Sequence, residues 1–234
     1  MSGAARRFYE KAEPVPVEGG YGVSLDGRTL RTPGRLVFAM PTLALAQACA
    51  AEWAAQDGEI RPASMPLTRL ANVAVERTPL ARDAIVASVA KFAETDLVCH
   101  RADRPARLVE RQSAVWDPLL VWAHGAIGVR LHPVVGIAID PRNLEAVPAI
   151  AAGAAALDDF RLTGLAHAAG LAGSCVIAFA MLHRALNAAE AAGAAALDED
   201  WALETWGEDG EARARLAGQA AEFAALERFF ATLT

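Results

Sequence analysis

Lysine is almost missing from this chain, occurring only at Lys11 and Lys91. The 22 basic residues are outnumbered by 28 acidic ones, for a formal net charge of −6. A general nucleic-acid surface needs a basic excess, so that class is excluded and no nucleic-acid partner is expected. Neither lysine follows a glycine, so the phosphate cradle G-x-x-x-x-G-K-[ST] is absent. Gly20-Tyr21-Gly22 precedes a strand pattern instead of joining strand to helix, which removes the dinucleotide fingerprint. G-x-S-x-G and H-E-x-x-H are absent too, and His100, His124, His132, His167 and His183 lack metal-ligand spacing. These gaps argue against an ATP-driven machine or a common hydrolase; no catalytic residue, metal or cofactor is expected. The three cysteines, Cys49, Cys99 and Cys175, form no C-x-x-C pair and read as reduced, buried thiols in a reducing compartment. The N-terminal MSGAARRFYEK has no apolar core of a secretory signal, which points to the cytoplasm, or to a matrix after cleavage.

The longest uncharged run is Leu162 to Leu182. Its length alone would suit a membrane span. Its Ala and Gly content makes transfer weak, and Gly170 and Gly173 interrupt it. Gly173-Ser174 reads as the end of one helix and the cap of the next. The expectation is two buried helices, 158–169 and 174–188, with no membrane insertion.

Residues 8–40 read as a β-meander. Tyr21–Leu25 alternates, Asp26-Gly27 suits a type I′ turn, Arg28–Thr32 returns, Pro33-Gly34 turns with glycine at the position needing positive φ, and Arg35–Met40 is another strand. Phe8–Val17, with Pro14 and Pro16, suits an edge. Helices follow at 42–56, with Leu45, Cys49 and Trp53 on one face, at 67–77, with Leu70, Val73 and Ala74 inward, and at 80–94, with an Ile85/Val89/Phe92 stripe. Trp53 is expected to pack between its helix and the sheet. Residues 95–101 fit a strand or a helix end. Residues 108–125 read as helical with a kink or restart at Asp117-Pro118, and Leu131–Ile139 as a strand. The remainder reads as helical at 141–156, 196–206 and 209–232. The fold class is therefore α+β: an N-terminal β-meander with packed helices over 1–78, then a mainly helical domain over 79–234, whose strand near 131–139 is a candidate addition to the sheet.

Two clusters could carry proton transfer: Asp96, His100, Glu110 and Arg111, and Glu204, Glu208, Asp209 and Glu211. Either could instead be a solvated helix face. Trp201 and Trp206 stand among acids in LDEDWALETWGEDGE, where helical spacing suits core packing and the acidic surroundings suit a partner surface.

Several ordered stretches together resemble the assembly chaperones of the F-type ATP synthase that bind the alpha subunit of its catalytic sector. They are Leu25–Pro33 (LDGRTLRTP), Ala51-Glu52-Trp53, Met65–Asn72 (MPLTRLAN), Glu94–Arg101 (ETDLVCHR), Gln112 with Trp116–Leu120 (WDPLL), Phe160–Thr163 (FRLT) with Gly173-Ser174, and Leu197–Trp201 (LDEDW) leading to Trp206-Gly207. This chain departs from the family at Ala54, commonly an acid; at His100, commonly Tyr; and at Gly210, often Glu. The resemblance implies a non-enzymatic holder of the unassembled alpha subunit that yields it to the beta subunit, and a monomer when free. The expected partner-binding residues are Trp206, Glu208, Asp209, Glu211 and Glu204. The rival readings are a small-molecule enzyme using Asp96, His100 and Glu110, and a scaffold subunit of a stable complex.

Overall fold

The computed structural model describes residues 6–207 and 209–234. The chain is α+β and divides into two compact units: Met1–Ala81 with Asp158–Thr163 and Arg228–Thr234, and Arg82–Leu157 with Gly164–Glu227.

The first unit is built on a small antiparallel sheet. β1 (Ala12–Val17) pairs with β2 (Gly20–Leu25) in the register Ala12↔Leu25 to Val17↔Gly20, and β2 pairs with β3 (Arg28–Thr29). The β2–β3 turn has Asp26 at φ 48 and Gly27 at φ 82, the mirror-image turn that the Asp-Gly pair favours. The Asp26 carboxylate also accepts from the Glu10 and Lys11 amides, which hold it below the usual carboxylate range. Gly20 allows close approach: a Cβ there would lie 2.2 Å from the Met40 carbonyl, which accepts the Tyr21 N–H at 2.9 Å.

The later part of the meander departs from expectation. Residues 30–40 make only isolated bridges, Arg31↔Val37 and Tyr21↔Met40, and form no full fourth strand. The positive φ falls on Arg35 (φ 69) and not on Gly34. The Arg35 N–H donates to Thr32 O, while the Gly34 N–H is drawn to the Glu76 carboxylate.

α1 (Leu43–Ala54) starts at Thr42, whose hydroxyl accepts from Leu45 N at 3.2 Å and donates to Thr232 O at 2.5 Å. Its buried stripe of Leu45, Ala46, Cys49 and Ala50 packs on β1 and β2. α2 (Pro66–Glu76) has no cap of its own; Glu52 of α1 supplies one, accepting from Leu67 N at 2.9 Å and Thr68 N at 2.8 Å. Leu67, Leu70, Ala71 and Ala74 form its inner stripe, and Val73 lies off it, exposed, contrary to the expected inward position. Trp53 is half-buried. Its ring meets Tyr9 edge-on at 5.8 Å, the Tyr9 hydroxyl donates to its carbonyl at 2.7 Å, and it lines a cavity with Leu30, Pro33, Ile60 and Met65. The ring is therefore not sealed between helix and sheet as expected. Thr78 and Thr163 hydroxyls meet at 2.6 Å, and Arg161 donates to Leu233 O, so side chains tie residues 158–163 and 228–234 into this unit.

α3 (Thr78–Lys91) breaks at Ala81 (φ −125, ψ 19), where the second unit begins. Short 3₁₀ turns at Phe92–Glu94 and Leu97–Cys99 lead to β4 (His100–Arg101). α4 (Ala106–Ile127) runs through Pro118 without the expected restart, and the carbonyl that Pro118 leaves unbonded belongs to exposed Ala114, which water can serve. Gln112, Trp116, Leu119 and Ala123 form its buried stripe, with Trp116 Nε1 donating to Ala194 O at 2.9 Å. The expected strand over 131–139 shrinks to β5 (Val134–Val135). It pairs in parallel with β4 in a separate two-stranded sheet and adds nothing to the three-stranded one, and its ladder ends where Gly136 turns at φ 80.

A 3₁₀ turn at Pro141–Ala146, α5 (Val147–Ala155) and α6 (Asp159–Ala172) lead to α7 (Cys175–Leu182). Cys175 through Met181 are all buried. Gly173 (φ 64) ends α6, and the Ser174 hydroxyl caps α7 by accepting from Ile177 N at 3.0 Å. α7 stops earlier than the expected 188, and Asn187 opens α8 (Ala188–Ala195) with a capping box to Glu190. α9 (Leu197–Trp206) and α10 (Gly210–Thr232) complete the chain. Among the described residues, no helix is long and apolar enough to cross a membrane.

Asp96 is fully buried beside the start of α7. Its carboxyl accepts from Val98 N at 3.2 Å, Val176 N at 3.2 Å and the Cys175 thiol at 3.1 Å. Desolvation outweighs these donors and pushes the carboxyl above its ordinary range.

Two stability outcomes are expected. Replacing Trp53 by Arg should cost about 2–4 kcal/mol in urea melts, since packing is lost and a charge is forced into a half-buried slot; a wild-type midpoint would assign Trp53 to binding instead. The Asp96 carboxyl binds its proton more tightly folded than unfolded, so its contribution to stability falls as pH rises above the ordinary carboxylate range. Asp96→Asn does not titrate, so its stability relative to wild type should improve as pH rises above the ordinary carboxylate range. A pH-independent difference would show that Asp96 keeps an ordinary pKa.

Candidate partner-binding surface

α9 opens with Asp198, Glu199 and Asp200, acids suited to a helix N-terminus. Leu197 and Leu203 face inward, Trp201 is half-buried, and Trp206 is 81% exposed. The core reading thus holds for the start of the segment and fails at its end. Gly207 (φ 111, ψ 160) turns the chain away from α9. Asp209 then caps α10, accepting from Glu211 N at 2.9 Å, and Glu211 is exposed in the first turn. Glu208 lies outside the described residues.

Most α9 acids have partners. Asp198 accepts from Gln112 Nε2 at 2.7 Å, Asp200 pairs with Arg213 at 3.0 Å and Glu199 with Arg215. Glu204 pairs with Arg111 at 2.6 Å, and that hydrogen bond lowers the Glu204 pKa and raises that of Arg111. Of the expected set, Glu204 is thus engaged within the chain, while Asp209 and Glu211 present carboxylates to solvent.

Trp206 stands over a cavity of about 600 Å³ lined with Trp201, Leu108, Pro105, Gly136 and Ile137. Polar groups also line it, several of them with partners in the chain. Gln112, buried, accepts from Ala102 N at 2.8 Å besides donating to Asp198. Arg101, buried, donates through Nε to Val98 O at 3.0 Å, lies over the Trp116 ring at 5.3 Å, and brings Nη2 within 2.9 Å of Asp117, an ionic contact not aligned as a hydrogen bond. The result is a largely apolar hollow with an exposed indole and an exposed Ile137 (95%) among its lining residues. Ile137 was not among the expected site residues; the period-two pattern of its segment marked a strand but not an uncovered one.

The rival acid/base residues lie in three different settings. Asp96 is sealed beneath α7, His100 uses its Nδ1–H on the Gly136 carbonyl at 3.0 Å, and Glu110 sits exposed on α4. Burial pushes the Cys49 and Cys99 thiols up to about 12 and Cys175 well above its ordinary value, so all three behave as inert buried groups. Among the described residues, no three His, Cys, Asp or Glu side chains cluster closely enough to hold a metal ion.

Residues 6–124 match the family described as ATP12 chaperone protein. The crystal structure of Atp12 from Paracoccus denitrificans superposes with a TM-score of 0.91 at 38% identity, covering 98% of this chain and 99% of that one. A solved structure from Agrobacterium tumefaciens gives 0.91 at 35% identity over 98% and 86% of the two chains. The mitochondrial protein atp12 of Schizosaccharomyces pombe is 23% identical over 214 residues, 86% of this chain and 74% of that protein. The chain belongs to the ATP12 chaperone family.

Proposed function

We propose that this chaperone of ATP synthase assembly binds the unassembled alpha subunit of the F-type catalytic sector, covering its assembly surface until the beta subunit takes it over. It acts by binding alone, without covalent chemistry, as a free monomer in the bacterial cytoplasm. The observation that carries this reading is Trp206, 81% exposed among the residues lining an apolar hollow of about 600 Å³, with the solvent-facing carboxylates of Asp209 and Glu211 close by in sequence. A large indole is seldom left in water without a partner to meet it. Subunits of obligate assemblies expose apolar interfaces before assembly and aggregate through them, so a holder needs a complementary apolar face. Apolar contact supplies most of the affinity, and the acids of the Trp206–Glu211 segment steer a basic patch of the partner.

Titration against purified alpha subunit tests this. Asp209 caps α10, so its charge is removed as Asp209→Asn, which keeps the cap, together with Glu211→Lys and Glu208→Lys. Affinity should fall about tenfold at low salt, and the difference should shrink at high salt as screening shortens to below about 8 Å. Excess beta subunit should release the alpha subunit. Unchanged affinity at both salt concentrations would place the surface elsewhere, and failure of beta subunit to release the complex would make the protein a permanent scaffold.

A further inference from the structure

Two departures from the expected packing of the first unit meet at one place. Val73 turns outward from α2 and is 43% exposed, and Trp53 is half-buried. Both line a cleft of about 500 Å³, a volume within the range of ligand sites, about 300–1,000 Å³. One wall is α2 with the residue before it: Met65, Arg69, Asn72 and Val73 recur at three- and four-residue spacing and so share a face. Leu30, Ile60 and Trp53 continue the apolar lining. The charge of the cleft has one sign. Arg31 and Arg69, both exposed, line it, and no acid is among its lining residues. Arg31 donates to Arg35 O at 3.0 Å, a neutral acceptor, so that bond cancels no charge. The acids next in sequence are engaged elsewhere. Glu76 accepts from the Thr32 hydroxyl and the Gly34 N–H, and Glu59 faces Arg61 at 3.8 Å. The two units differ in the same sense: the first holds 11 basic and 10 acidic residues, the second 11 and 18.

We infer that this cleft is a second contact for the held alpha subunit, receiving one apolar side chain from a segment that carries acidic residues beside it. The inference rests on the partner-holding reading and adds a contact of opposite sign to the acidic one at Trp206–Glu211. The walls select the side chain. An apolar group entering between Leu30, Trp53, Ile60 and Met65 releases water from both surfaces, whereas a charge there would be desolvated without compensation. Arg31 and Arg69 select its neighbours, since two guanidiniums attract carboxylates and repel a basic segment. The near-neutral first unit lets an acidic segment approach, while the acid excess of the second repels one. A membrane surface fits less well, because a chain of net charge −6 is repelled by anionic lipid.

The three native thiols are buried, so Val73→Cys offers one accessible thiol for an environment-sensitive dye. Saturation with purified alpha subunit should move the dye emission to shorter wavelength as the cleft loses water. Arg31→Glu and Val73→Glu, both at exposed positions, should melt as wild type and should each weaken binding about tenfold at low salt. The deficit of Arg31→Glu should shrink at high salt. Should either variant melt early, the dye on the otherwise wild-type chain still decides. If wild type binds while the dye stays silent and both variants bind normally, the cleft is idle and the inference falls, with the holding function intact. A deficit for Val73→Glu alone would overturn the acidic character of the segment. A dye shift with dodecanoate and none with alpha subunit would give the cleft to a small amphiphile and overturn the assignment to the partner. A free dimer that Val73→Glu dissolves would give it to a second copy and overturn that assignment too. No binding by wild type would overturn both readings.

Discussion

The second unit depends on the burial of α7. A helix with seven consecutive buried residues has no water to serve its opening N–H groups, so the fold must supply acceptors. Ser174 satisfies Ile177, and Asp96, reaching from a distant part of the chain, satisfies Val176 and takes the Cys175 thiol. A carboxyl buried this deeply is tolerated because four groups around it, the Ser174 hydroxyl among them, offset part of its desolvation. This is why Asp96, one of the more promising acid/base candidates on chemical type alone, is a structural group.

The same economy recurs in the first unit. α2 lacks a cap in its own sequence and borrows the Glu52 carboxylate; Asp26 both makes its turn and receives two amides from the preceding segment. The Glu52-Trp53 pair therefore joins α1 to α2 and to Tyr9, so one dipeptide links three segments. Polar side chains placed to close backbone accounts across sequence distance are what turn short strands and small-residue helices into a specific fold.

Where the chain does not close its accounts, it offers a surface. Trp206 and the Val135/Ile137/Ile139 row are apolar and uncovered, while the nearby ionic groups of α9 are mostly paired within the chain. An apolar patch favours contact with another apolar surface over binding of a charged small molecule.

The sequence by itself determined the local and repetitive features. The Asp26-Gly27 turn, the Ser174 cap, the Gly173 break and the Leu45/Cys49 stripe of α1 follow from residue type and spacing, because turn sterics and 3.6-residue periodicity act over a few neighbours. The family was also legible, carried by the order of many short stretches. Only the tertiary structure decided what long-range contact controls. It reduced the 131–139 strand to two residues, carried α4 through Pro118, returned residues 158–163 and 228–234 to the first unit, and separated buried Trp116 from exposed Trp206. Residue type states that an indole or an isoleucine prefers to leave water; whether this chain itself covers it depends on which distant segment arrives, and that no local pattern encodes.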